Sequence, residues 1–360
     1  MILYCIIIYF LVFALAIDLR GRKASGNNTI MCITPFQKYF SISALIILWA
    51  LTAFRAVTIG NDTVVYVRYF QSIDSYGVNS NYAIEMGFQW LIALIGRFTD
   101  DPHVFLIILS SLLYGVLAYI IFKYSDNYLI SIALSFFLCY GSFCNIMRQS
   151  LAMVICFIAY LCLKKGKTIW FVILVLFAST VHTSALIVLL LLLYKYIPKK
   201  GYFIAFACGL AIILSNTSYL VNISHLLGDE YTNYFMGKYA DSGHLGVFLS
   251  LIKAVLMHLV IRISDEDMTD TSKKEYDIIY TSSFYMLFFL CCGFTVNLIS
   301  RISDYFMMFS IIDIPYMLKI KNKKSNVYFI VLMGYMIIHF LAVQVFRPEW
   351  NHLYPYEFWK

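Results

Sequence analysis

Three arginines, two carboxylates and one histidine stand in short polar stretches between long apolar runs: Arg55, Arg148, Arg301, Asp62, Glu85 and His182. A guanidinium presents a planar fork that matches phosphate oxygens, and a hydrogen bond to a charged group is worth roughly 1.5–3 kcal/mol. A histidine exchanges a proton near neutral pH, and a carboxylate can orient it or serve as a base itself. Such a set suits recognition of a phosphorylated ligand with a proton transfer beside it.

Each stretch also has an ordinary structural use. In FRAVTIGNDTVVYVRYF (54–70), Gly60-Asn61-Asp62 is turn chemistry, while Arg55 ends an apolar run where an arginine must be paired or solvated. In FCNIMRQSLA (143–152), Asn145, Arg148 and Gln149 fall at i, i+3 and i+4, so a helical turn aims them at one face. An interfacial arginine that snorkels is the alternative there. STVHTSAL (179–186) flanks His182 with hydroxyl residues at a break between apolar runs, where it could equally be a hydrogen-bonded structural group. NLISRISDYF (297–306) sets Arg301 and Asp304 one turn apart, the spacing of a local ion pair. Lys253 and Asp313 lie nearer mid-span, as a functional pair or a mutual one.

The elements that position these residues are membrane helices. The 360 residues are 61% hydrophobic and 13% charged. Soluble domains run about 45–50% apolar and about 25% charged, so this chain lacks the polar surface that water requires. The apolar runs do not alternate, which excludes a β-barrel. The fold predicted is all-α: a polytopic transmembrane helical bundle of about 12 spanning segments in one membrane domain over 1–360. Runs 168–181 and 183–197 are two short segments meeting at His182 or one tilted span. The stretch 84–98 carries Glu85 and Arg97 and is expected as a re-entrant or interfacial helix. Residues 55–102 form an outer loop region and 220–244 a second outer loop.

Charge sets the orientation. With the N-terminus outside, 18 of the 27 lysines and arginines fall in inner loops and 8 outside, and Lys253 lies within a span. Positive charge is retained in the cytoplasm, so both termini are expected outside, on the side of the polar stretches. The lysine clusters KKGK (164–167) and KNKK (321–324) fall inside. The net charge of +7 is therefore an orientation signal, and no nucleic-acid partner is expected. The nine cysteines show no C-x-x-C pair and read as small hydrophobes.

In order along the chain come Arg55-x4-Gly60-x-Asp62-Thr63-x2-Tyr66, Glu85-x-Gly87-Phe88, Asn145-x2-Arg148-Gln149, His182-x-Ser184-Ala185 and Arg301-x3-Tyr305-Phe306. This series resembles the EpsG family of Wzy-type polysaccharide polymerases. A common E-P-G-F form of the second motif stands here as Glu85-Met86-Gly87-Phe88. The resemblance implies a glycosyltransferase of O-antigen, capsule or exopolysaccharide synthesis in the bacterial cytoplasmic (inner) membrane. Its substrate would be an oligosaccharide repeat unit on undecaprenyl pyrophosphate, with membrane lipid around it and a flippase and chain-length regulator as partners. On this reading Arg55, Asn145, Arg148, Gln149 and Arg301 bind pyrophosphate or sugar, and Asp62, Glu85 and His182 are the candidates for the base. No D-x-D motif stands in an outer loop, so a metal-independent reaction without cofactor is expected. The rivals are a flippase for lipid-linked oligosaccharide and a polymer ligase. A flippase would show similar halves and a polar path reaching both leaflets, and no internal repeat is visible.

Overall fold

The computed structural model describes residues 2–24, 35–78, 84–214, 244–263, 273–294, 297–319 and 323–359. Among these the regular elements are helices, as the non-alternating runs predict. All but the last position of the expected outer loop 220–244 lies outside the described residues. The chain falls into two compact units, Met1–Leu186 with Met336–Lys360, and Ile187–Tyr335.

The first unit contains α1 (Ile2–Ala24), α2 (Pro35–Ala53), α3 (Thr63–Tyr76), α4 (Met86–Gly96), α5 (Pro102–Tyr124), α6 (Tyr128–Asn145), α7 (Met147–Lys164) and α8 (Thr168–Val181). Helix starts follow local chemistry. Asp101 caps α5 by accepting from the His103 N–H at 2.8 Å, with Pro102 in the first turn, and Asn127 caps α6 by accepting from the Ile130 N–H at 3.0 Å. Buried faces of α6 and α7 form the centre of the unit, with α2, α5 and α1 against α6 or its neighbours and α8 along α7. Helix α4 lies between α3 and α8.

The second unit is organised round α11 (Lys273–Cys292), which packs on α9 (Gly201–Leu214), α10 (Leu245–Ile263) and α13 (Ser303–Lys319). The expected run 278–298 is interrupted: α11 ends at Cys292, and a short α12 (Asn297–Ser300) follows. At the interruption the chain packs closely on itself, since a Cβ on Gly293 would stand 2.6 Å from the Ser300 Cβ. Helix α14 (Lys323–Phe346) follows and carries the chain back into the first unit.

Among the described residues, six helices are long and apolar enough to cross a membrane: α2, α5, α6, α7, α10 and Lys324–Phe346 within α14. The chain is a multi-pass, all-α membrane protein. Shorter apolar helices accompany the six, among them α4, whose 11 residues extend about 16 Å and cannot cross a core of about 30 Å. After α8 the chain breaks at His182, whose φ of −154° and ψ of 116° are extended, and then winds as a 3₁₀ helix over Thr183–Lys195. The two runs flanking His182 are thus separate segments. At about 2.0 Å per residue, the tighter winding carries 13 residues about 26 Å, further than an α-helix would.

Candidate active site

The start of α4 and the end of α8 meet because of a glycine. A Cβ on Gly87 would stand 2.4 Å from the Thr180 Oγ1 and 2.6 Å from its carbonyl oxygen, so only glycine allows this approach. The approach brings Glu85, just before α4, to His182, just after α8. The Glu85 Oε1 lies 2.8 Å from the His182 Nδ1 and accepts the Thr183 N–H at 3.0 Å. The other oxygen, Oε2, accepts from the Arg148 guanidinium at 2.6 Å. One carboxylate therefore joins three of the motifs.

Burial alone would raise the Glu85 pKa. The His182 hydrogen bond, the charges of Arg148 and His182 and the Thr183 N–H outweigh it and hold the carboxyl at about 2. A carboxylate so saturated is a feeble base, but it is a firm support for a ring. A carboxylate can only accept, so the bonded Nδ1 carries the proton and the His182 Nε2 is the basic nitrogen. The side chains are 19% exposed for Glu85, 22% for Arg148 and 24% for His182, enough for a ligand to reach them. The hydroxyls of Ser179 and Thr180 donate back to the carbonyls of Leu176 and Phe177, and it is Glu85 that holds the imidazole at Nδ1.

Tyr66 extends the cluster. Its hydroxyl hydrogen-bonds to the Arg148 guanidinium and its ring meets Phe88 edge-on at 5.9 Å. Burial pushes its pKa up, and the Asp62 charge acts in the same direction, which sets Asp62 in the same neighbourhood. Asp62 immediately precedes α3 and uses no side-chain bond to cap it.

Asn145, Arg148 and Gln149 do not share one helical face. Ile146, at φ −98° and ψ 60°, breaks the helix between α6 and α7, so Asn145 ends one helix while Arg148 and Gln149 begin the next. Both donors of the Asn145 amide are used, by the Gly141 and Asn351 carbonyls at 2.9 and 3.1 Å, and its oxygen accepts the Asn61 N–H at 2.6 Å. Gln149 is buried. Arg55 is fully buried: its guanidinium donates to the Thr52 carbonyl and, at 3.2 Å, to the Met147 sulfur. It thus lies against Met147, the first residue of α7. Gly60, at φ +86°, lets the loop press on the Cys144 carbonyl, 2.3 Å from where its Cβ would be.

Arg301 belongs to the second unit, is exposed, and with Lys253 acts electrostatically on Asp304. Among the described residues no group of three or more His, Cys, Asp or Glu side chains is arranged to hold a metal ion. Two participants escaped sequence reasoning, the Thr183 backbone N–H and the chain after α14, which contributes the Asn351 carbonyl.

These features define a helical, multi-pass membrane protein whose first unit gathers histidine, carboxylate and arginine at one end. The EpsG family model matches residues 38–358, nearly the whole chain, and the chain belongs to the EpsG family. No curated protein and no solved structure matches it. The family is one of membrane proteins of polysaccharide biosynthesis.

Proposed function

We propose that this protein is a polysaccharide polymerase, joining oligosaccharide repeat units carried on undecaprenyl pyrophosphate at the outer face of the bacterial cytoplasmic membrane. The observation that carries the reading is the single carboxylate, Glu85, bonded at once to His182 and to Arg148. In the reaction a hydroxyl of the acceptor unit attacks the anomeric carbon of the donor chain. A glycosidic C–O bond forms, the C–O bond to phosphate breaks, and undecaprenyl pyrophosphate leaves.

His182 Nε2 takes the proton of the attacking hydroxyl, with Glu85 fixing the tautomer and stabilising the imidazolium that results. The proton then passes to solvent or to the departing phosphate. Arg148 keeps one edge on Glu85 and offers its remaining donors to the pyrophosphate, where charge accumulates as the bond breaks. Asp62 orients the sugar. Arg55 and Asn145 act through the backbone, holding the start of α7 and the loop before α3, and Gln149 supports the same turn. Arg301 carries phosphate-binding chemistry in the second unit. The reaction so drawn uses no metal or cofactor.

The arrangement favours an enzyme over a flippase. Within the first unit the acidic, basic and histidine groups gather where α6 ends and α7 begins. Lys164 closes the other end of α7, about 26 Å away along the helix. There Lys165 bonds to Tyr124 at 3.2 Å and Lys123 to Tyr119 at 2.7 Å. A transport path would need polar groups along that length. With the lysine end in the cytoplasm and both termini outside, a chain-length regulator and a flippase are the expected partners.

Deleting the gene tests the reading. A polymerase acts after flipping, so single repeat units should still reach the outer surface or their final acceptor. Repeat units trapped on the cytoplasmic side would mark a flippase instead.

A further inference from the structure

Residues 347–359 follow α14 and belong to none of the five motifs, yet they form a strap over the loop that carries Asp62. Leu353 is fully buried, and its carbonyl accepts from the Tyr4 hydroxyl at 2.5 Å. The Tyr356 hydroxyl donates to the Leu51 carbonyl at 2.5 Å. Two backbone bonds of 2.9 Å, from Ala56 N–H to the Glu357 carbonyl and from Trp359 N–H to the Phe54 carbonyl, pair the strap with the loop. Trp359 stacks on His103, with ring centres 4.8 Å apart and planes 7° from parallel.

At the seam stands His352, exposed, with φ 44°. A non-glycine residue in this left-handed region is uncommon, and it is kept there only when its surroundings determine it. Those surroundings are visible. The His352 carbonyl accepts the Gly60 N–H at 3.1 Å, and its Nδ1 bonds to the Asn61 side-chain oxygen. The Asn61 amide is oriented by its own donation to the Trp350 carbonyl at 2.9 Å. An amide oxygen only accepts, so Nδ1 is the protonated nitrogen and Nε2 is an acceptor on an exposed ring. Asp62 is the next residue after Asn61, and Tyr354 and Phe358 expose their rings on the same strap.

We propose that the strap is a saccharide subsite, in which His352 Nε2 and Asp62 accept hydrogen bonds from sugar hydroxyls and Tyr354 and Phe358 lie against the apolar face of the ring. Sugars present many donors around an apolar C–H surface, and paired acceptors beside aromatic faces answer both features. The ligand's identity as the repeat-unit oligosaccharide rests on the proposed polymerase function. The competing use of the exposed rings is an aromatic belt at the membrane surface.

The test is saturation-transfer NMR on the purified full chain in lipid nanodiscs. The probe is the lipid-free oligosaccharide mixture obtained by partial hydrolysis of the host's own polysaccharide. His352→Gly takes up the left-handed backbone without strain and removes the imidazole. His352→Asn also tolerates that backbone and can still bond Asn61, but it lacks Nε2. Wild type should bind, and both His352 variants should bind at least tenfold more weakly while remaining folded. Tyr354→Ala with Phe358→Ala should weaken binding as well. Wild-type affinity in the His352→Asn variant would make His352 a latch and overturn the proposal. So would unchanged binding in the aromatic variant, which would assign the rings to the membrane, or no binding by the wild type. A wild-type chain that binds the oligosaccharide but forms no polymer from lipid-linked repeat units would sink the polymerase reading and leave the subsite standing.

Discussion

Gly87 rests directly on Thr180, so closely that a single added carbon would lie 2.4 Å from the threonine hydroxyl oxygen. Substitution to alanine must push α4 away from α8, and Glu85 and His182 sit at the two ends that would separate. Overpacking of this kind costs about 1–3 kcal/mol, and a misplacement of about 1 Å in a catalytic group can cost about 10²-fold in rate. Gly87→Ala should therefore leave a folded protein with polymer output reduced by roughly that factor. Polymer yield measured against protein level in the membrane checks it.

Arg148 should not tolerate lysine. Its planar fork serves Glu85 and Tyr66 on one side and, in the proposed reaction, phosphate on the other. Lysine keeps the charge but presents a single ammonium. One lost charged hydrogen bond of about 1.5–3 kcal/mol corresponds to about 10–150-fold in rate. Arg148→Lys should approach Arg148→Ala in polymer length and yield, and full-length polymer from the lysine variant would remove bidentate recognition from the account.

Acid should loosen the cluster through Glu85. Its folded pKa of about 2 lies below the ordinary value of 4.5, so the carboxylate stabilises the fold fully above pH 4.5. That contribution fades as the pH falls from 4.5 towards 2. Glu85→Gln lacks it at every pH. Thermal unfolding in detergent should thus separate wild type from Glu85→Gln at pH 7, and the gap should narrow by pH 3.

Much of the fold is legible in the amino-acid sequence, and the rest is hidden for physical reasons. Helical class follows from hydropathy, and the expected sidedness from lysines placed between apolar runs, signals repeated many times along the chain. The Glu85-x-Gly87 motif marks the close approach of α4 to α8, though not its partner Thr180. The break at Ile146 has little local mark, because no glycine or proline stands within about four residues of it. It is held by long-range bonds from Asn145 to Asn61 and Asn351, and by the Ser150 hydroxyl on the Ser142 carbonyl at 3.0 Å. Helical spacing across that break consequently misassigns Asn145 to the face of Arg148. The strap is equally opaque, since its partners in the first outer loop lie about 300 residues earlier in the sequence.

In the proposed reaction Glu85 orients His182 so that its Nε2 removes the proton of the acceptor hydroxyl. His182→Gln tests it most directly, because glutamine can still donate to Glu85 and nearly preserves size but takes no proton at neutral pH. The measurement is single-turnover transfer by purified protein on undecaprenyl-pyrophosphate-linked repeat units, with folding checked by thermal unfolding. A general base contributes about 10²–10⁴-fold, so turnover should fall by that much while the unfolding temperature stays near wild type. Turnover close to wild type in a folded His182→Gln protein would contradict the account and move the base to another residue.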